Sequence, residues 1–140
     1  TELGDQPLPI DCDPDQLQQV FVNLGINALD AMRADGGALT VKSRTSNGNG
    51  AARIILVFED TGPGIAEQHR SRVFDPFFTT KEPGKGTGMG LAVCQTIVQS
   101  HDGEISFESS PDGTRFLVSF ARSHRQLSGE LVRAVSNVAQ

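Results

Sequence analysis

Tryptophan and tyrosine are absent, cysteine occurs twice, histidine three times, and 12 basic residues face 17 acidic ones. Without the two larger aromatics, the interior of a chain that is 37% hydrophobic must be filled by Phe, Leu, Val and Ile. The formal net charge of −5 argues against a nucleic-acid surface. No apolar run nears the ~20 residues that cross a bilayer, and no charged-then-apolar leader opens the chain. Direct membrane contact is therefore not expected, and a cytoplasmic location is. Cys12 and Cys94 lie far apart, outside any CxxC or His cluster, which reads as two reduced thiols and makes zinc a poor fit. With 140 residues the chain supports one core, not two. It opens on Thr1 rather than Met and reads as a piece of something longer.

What is present is organised around residues 59–91. A strand-terminal carboxylate, Asp60, precedes the spaced glycines Gly62 and Gly64; farther on, Gly84, Gly86, Gly88 and Gly90 alternate and open onto an apolar helix. A fixed acceptor together with exposed backbone N–H groups suits a nucleotide gripped at base and phosphates.

Leu8-Pro9-Ile10 reads as a short edge strand. Asp13-Pro14-Asp15-Gln16 is a helix start, with an acceptor at the N-cap and Pro in the first turn. Leu17, Val20, Phe21, Leu24, Ala28, Ala31 and Met32 then recur at three and four, predicting a long amphipathic helix that ends before Asp35-Gly36-Gly37. Asn23 and Asn27 sit one turn apart on it; helix chemistry alone fits backbone capping and ligand binding equally well. Ala38 to Arg44 and Arg53 to Glu59 read as strands joined at Asn47-Gly48-Asn49-Gly50, the second one central. Ala66 to Val73 reads as a short polar helix. Residues 79–86 have almost no apolar content and are expected to form a mobile lid. A second helix over about 88–100 and two more strands, Glu104 to Glu108 and Thr114 to Ala121, complete an α+β sandwich with both long helices on one face of the sheet. From Ser123 on, Leu127, Leu131, Val135 and Val138 leave two readings open, a frayed terminus or a docked helix.

An ionised Asp60 only accepts hydrogen bonds. At the base of a pocket it therefore selects an amino group, adenine over guanine, although Asp before Thr-Gly also serves as a simple turn cap. The later glycines are neither GxGxxG after a strand nor a Walker loop, which excludes those two phosphate grips. A triphosphate calls for Mg²⁺, which takes oxygen ligands; the Asn27 amide supplies one, and Asn23 a turn earlier reaches toward the γ-phosphate. Lys81 and Lys85 are candidates to offset charge on the transferred phosphoryl group, or are solvated loop lysines.

The segments NLGINALDAM (23–32), EDTGPGI (59–65), FDPFFTTK (74–81), GKGTGMGL (84–91) and GTRFLVSF (113–120) resemble, in order, the N, G1, F, G2 and G3 boxes of sensor histidine kinases. Those boxes mark the ATP-binding catalytic domain of two-component systems, on the Bergerat or GHKL fold, and the resemblance covers about residues 8–121. FFTTK with GTGMGL is most similar to the nitrogen-regulation and oxygen-sensing subgroup. The resemblance implies a two-layer sandwich with a mixed, mostly antiparallel sheet. It implies a catalytic domain over 1–122, a lid at about 66–88 and a separate tail at 123–140. Asn27 would hold Mg²⁺, with Asn23 nearer the γ-phosphate; Asp60 would bind the adenine amine, joined through water by Thr114. Gly62, Gly64 and Ile65 would shape the base pocket, and Gly86, Thr87, Gly88, Met89, Gly90 and Leu91 would border the phosphates with Lys81 and Lys85. Phe74 and Phe77 would anchor the lid by burial, Phe77 also bordering the nucleotide site.

The chain departs from the family in three places, one of them His101-Asp102-Gly103 where His-Gly-Gly is common, which reads as a different helix C-terminus. Asp30 stands where a Lys is common and Thr79 where an Arg is common, so Lys81 is expected to take over phosphate contact. No phosphoacceptor His segment precedes the boxes, and His69, His101 and His124 receive no catalytic role. The implied activity is transfer of the γ-phosphate of Mg-ATP to a histidine on a separate dimerisation domain, and onward to the receiver domain of a response regulator. The isolated domain would be a monomer and its parent a homodimer. A serine kinase of the anti-sigma-factor type and a nucleotide-sensing module without phosphotransfer are the alternatives.

Overall fold

The computed structural model describes residues 8–48 and 50–123. The elements are α1 (Pro14–Ala31), β1 (Leu39–Ser46), β2 (Arg53–Asp60), α2 (Glu67–Arg70), α3 (Gly90–Ser100), β3 (Glu104–Ser110) and β4 (Gly113–Ala121). The strands form one sheet in the order β1-β2-β4-β3. Every described pairing is antiparallel, within the mostly antiparallel sheet expected. β2 is an interior strand, as its apolar run predicts, and its last residue, Asp60, pairs with Thr114 of β4.

α1 starts as its sequence dictates. The Asp13 side chain accepts from the N–H groups of Asp15 and Gln16, and Pro14 occupies the first helical position, where no N–H is needed. Its apolar stripe packs with α3 on one face of the sheet. Val20 and Leu24 of α1, Cys94, Ile97 and Val98 of α3, and Phe58, Phe116, Val118 and Phe120 of the strands form one buried cluster. Burying a side chain of this size is worth ~1.5–3 kcal/mol. Phe21 meets Phe58 edge-on at 5.3 Å, and Cys94 Sγ donates to the Val20 carbonyl at 3.8 Å. Burial pushes the Cys94 thiol up to about 11, so it stays protonated as packing material. At the far end His101 joins the two helices: its Nε2 accepts from the Asp13 N–H at 3.0 Å, and Nδ1 lies 2.8 Å from the Ile97 carbonyl. On the other sheet face Arg115 bridges Glu59 and Glu108, beside the apolar residues Ile55, Val57 and Leu117.

Three expectations need correction. Leu8-Pro9-Ile10 is not a strand; the Pro9 carbonyl accepts one hydrogen bond, from the Ser123 N–H at 2.8 Å, while Ile10 packs against the core. Pro9 has no N–H with which to enter a ladder. The helix expected over 66–73 stops at Arg70, and the chain runs on to Phe78 through turns closed three residues back, such as Asp75 N–H to the Arg72 carbonyl. α3 begins at Gly90 rather than 88, because Gly88 has φ +67 and cannot be helical. The readings placed on 124–140, including His124, lie outside the described residues. Among the described residues no helix is long and apolar enough to cross a membrane.

Candidate functional site

α1 is a rail along which the singled-out residues are ranked. At its last turn the Gly62 loop closes in: a Cβ on Gly62 would stand 3.2 Å from Ala31 Cβ and 3.3 Å from its carbonyl oxygen. Asn27 lies one turn back, and Asn23 one turn farther, at ~5.4 Å per turn. The Asn23 amide donates to the Gly90 carbonyl at 3.3 Å, tying α1 to the start of α3. The order along the rail is thus Asp60 and Gly62, then Asn27, then Asn23 and Gly90.

The Asp60 end is tightly knit. Asp60 is 5% exposed, and its Oδ1 accepts from Gly62 N–H at 2.9 Å and Thr114 N–H at 3.3 Å. No donor among the described residues reaches Oδ2. The buried Thr114 hydroxyl lies 3.0 Å from Ser109 Oγ, which also accepts from the Ile65 N–H at 2.7 Å. Ile65 is fixed from its other side, its carbonyl taking the Arg70 Nε–H at 3.0 Å. Gly64 has φ +79, and a Cβ there would fall 2.0 Å from the Ser110 carbonyl oxygen, so this turn admits only glycine. Asp60, Gly62, Ile65 and Thr114, predicted from two separate segments, are one hydrogen-bonded unit joined through Ser109, with Gly64 packed closely against Ser110.

At the Asn27 end the geometry is looser. Asn27 is half-buried, and among the described residues its amide has no hydrogen-bond partner. Three residues on, Asp30 receives Lys81 Nζ on Oδ2 and Arg33 Nη2 on Oδ1 at 2.9 Å. The hydrogen bond from Lys81, opposed by burial and aided by the charges of Lys81 and Arg33, holds the Asp30 carboxyl below its ordinary range. The uncommon Asp30 and the lid lysine are therefore partners. Lys85 instead pairs with Glu82 at 2.6 Å and points to solvent. Thr87 is exposed, its hydroxyl accepting from the Met89 N–H at 3.3 Å. Leu91 packs on the core, and Met89 precedes α3 without any side-chain cap. The first N–H groups of α3 are thus left for another acceptor.

The two phenylalanines part company. Phe74 is an anchor, edge-on to Phe107 at 5.9 Å and to Phe116 at 6.4 Å. Phe77, expected to be buried, is 77% exposed. Its backbone has φ +67, and its N–H donates to the Gly88 carbonyl at 3.0 Å. A Cβ on Gly88 would come within 2.4 Å of Phe77 C, so the close pass of two backbones, not side-chain burial, joins the lid ends. Sequence reading missed Ser109, one polar residue in an alternating strand, and Asp30 as a partner of Lys81; only the expectation of a lysine at Asp30 hinted at a charge compensated elsewhere.

Compared with known proteins, residues 12–124 match the profile of the histidine kinase-, DNA gyrase B- and HSP90-like ATPases. The chain belongs to this family. Relatives of this ATPase domain include the sensor kinase CckA of Brucella abortus (38% identical, over 81% of this chain and 13% of that protein). The sensor histidine kinase ZraS of Salmonella typhi is 43% identical over 71% of this chain and 20% of its own length. The sensory histidine kinase/phosphatase NtrB of Klebsiella oxytoca is 38% identical over 76% of this chain and 32% of its own length. The domain spans roughly an eighth to a third of these proteins. Among solved structures it is similar to the nucleotide-free catalytic domain of histidine kinase ThkA, with a TM-score of 0.73 and 30% identity over 86% of this chain and 77% of that one. It is also similar to full-length ShkA in complex with AMPPNP, with a TM-score of 0.72 and 26% identity over 90% and 26%. The fold is that of histidine kinase catalytic domains.

Proposed function

We propose that this domain binds Mg-ATP and presents the γ-phosphate to a histidine on a separate dimerisation domain. Of all the observations, the order of groups along α1 supports this best. Among the described residues, a buried carboxylate with one free oxygen lies at one end, an unpartnered amide in the middle, and helix N–H groups without a side-chain cap at the other. Asp60 takes the adenine amine, with Thr114 assisting through water, and Gly62, Gly64 and Ile65 form the walls of the base pocket. Gly86, Thr87, Gly88, Met89, Gly90 and Leu91 border the phosphates, and Lys81 offsets their charge; Lys85 and Phe77 join only if the lid rearranges.

The donor set suits Mg²⁺ shared with a substrate. Among the described residues no cluster of three or more His, Cys, Asp or Glu would hold a metal alone, whereas the Asn27 amide oxygen is a hard, neutral ligand. Bound there, Mg²⁺ supplies charge neutralisation at the phosphates. This chain's own residues contribute position: Asn23 fixes the start of α3, and Asp60 fixes the base. In the transfer, a histidine nitrogen of the dimerisation domain bonds to the γ-phosphorus, the bond to the β–γ bridging oxygen breaks, and ADP leaves. The phosphate then passes to an aspartate on a response-regulator receiver domain. The ATP-binding unit is residues 1–122 with its lid at about 66–88, cytoplasmic, monomeric alone and paired within a homodimeric parent.

Titration with ATP in the presence and absence of Mg²⁺ tests the reading. Asn27→Ala should erase most of the Mg²⁺ enhancement, with ATP affinity falling ~tenfold, or ~1.4 kcal/mol. The chain alone should bind ATP without labelling itself from γ-labelled ATP, and adding the dimerisation domain should restore labelling. Strong self-labelling at one of its own histidines would overturn the proposal.

A further inference from the structure

The stripe of Asn23 and Asn27 continues on the same face of α1 to Asp30, whose carboxylate holds one cation from the lid and one from the helix end. The Asp30 side chain is 19% exposed and that of Lys81 35%, so the pair is partly shielded from solvent. Lys81 is held at two further points. Its N–H donates to Thr79 Oγ1 at 3.1 Å. Its stem lies on bare backbone, where a Cβ on Gly86 would meet Lys81 Cδ at 2.6 Å. Among the described residues, Lys81 to Asp30 is the one polar contact joining residues 79–87 to α1.

We propose that Asp30 is a positioning residue: it seats the lid cation Lys81 beside Asn27 and thereby sets the preference of the site for a nucleoside triphosphate over the diphosphate. This rests on the nucleotide reading above. A bare carboxylate at this point would repel a polyphosphate, but with Lys81 and Arg33 both attached the cluster is net positive. A lysine on an apolar-poor loop loses much rotamer freedom each time it engages a ligand. Asp30 imposes that restriction beforehand, so the cation meets the third phosphate already in place. The diphosphate, lacking the group farthest from the base, gains little from it.

ATP and ADP are titrated, each with Mg²⁺, against wild type, Asp30→Ala, Lys81→Met and the double variant. Each single change should weaken ATP binding ~5- to 20-fold and ADP binding less than ~2-fold, with the double no worse than the weaker single, because the residues act as a unit. Asp30→Glu should recover part of the ATP preference. An unchanged or improved ATP/ADP ratio in Asp30→Ala, or single effects that multiply in the double, would overturn the proposal. Amide hydrogen exchange on the nucleotide-free chain is the independent readout. Residues 79–86 should exchange faster in Asp30→Ala and Lys81→Met, while β2 and β4 stay protected. If wild type binds no nucleotide, the ATP reading fails by itself; if lid exchange is unchanged in Asp30→Ala, the seating role fails whatever the nucleotide result.

Discussion

At the β2 end of the rail, one carboxylate oxygen of Asp60 is already engaged by two backbone N–H groups, and the neighbouring Thr114, Ser109 and Ile65 are bonded to one another. At the α1–lid end, among the described residues, Asn27 is unpartnered, Lys85 faces solvent, and residues 79–87 reach the helix through a single ion pair. The first region is built from strand register and cannot shift without breaking the sheet. The second is built from loop contacts that can be exchanged for ligand contacts. A base must be discriminated by a rigid acceptor, because a donor–acceptor mismatch rejects only if the site cannot relax. A phosphate chain needs charge that arrives and leaves, which a loop provides.

The largest effect should come from breaking the rigid end at its centre. Asp60→Asn keeps the shape, and its remaining carbonyl still accepts from Gly62 and Thr114 N–H. It turns the free oxygen into an amino group, however, so donor would face donor at adenine. Affinity for ATP should fall at least ~100-fold, or ~2.7 kcal/mol, with little change in the unfolding midpoint. An affinity within ~3-fold of wild type, about 0.7 kcal/mol, would remove Asp60 from the base site.

Next come matched glycine substitutions, one in each region. Gly64→Ala puts a methyl into the Ser110 carbonyl at a positive φ, so the hairpin and the Asp60 unit must both move. Urea unfolding should show a loss of about 2 kcal/mol or more, together with weaker ATP binding. Gly88→Ala meets the Phe77 backbone just as closely, but where only the lid has to give way. It should weaken ATP binding while costing less than ~1 kcal/mol of global stability, because locally opening segments contribute little to it. Equal stability losses for the two would mean that the lid is as integral to the fold as the base site.

The same contrast explains what the sequence made legible. The α1 N-cap, its apolar stripe, the hairpin turn and the alternation of β3 and β4 are set by neighbours within a few residues, and they were readable. Asp60 and the glycines were recognisable as residues suited to a nucleotide. Their bonding to Thr114, however, depends on a register across 54 positions that no local signal carries. Ser109 looked like any outward-facing serine until β3 paired with β4 and placed it against Thr114 and Ile65. Asp30 and Lys81 are 51 residues apart, and only the fold supplies their pairing. Leu8-Pro9-Ile10 reads as an edge strand, where proline is tolerated, but the Pro9 carbonyl makes one bond to Ser123 and no ladder follows.

Phe77 yields the smallest expected effect and the sharpest test of the lid reading. Aromatic residues usually stabilise by burial, so that Phe→Ala or Phe→Gly in a core costs ~3–5 kcal/mol. Phe77 has little burial to lose, and it holds a left-handed backbone that costs a residue with a Cβ ~1–2 kcal/mol. Glycine removes that strain but gives the unfolded chain extra freedom worth ~0.4–1 kcal/mol against folding. The two terms oppose each other, so the unfolding free energy of Phe77→Gly should lie between unchanged and ~1.6 kcal/mol higher than wild type. Urea titration of the nucleotide-free chain measures this directly. A loss above ~2 kcal/mol would mean that the Phe77 ring is buried in solution, and that the lid is held by packing like Phe74 rather than by the backbone crossing at Gly88.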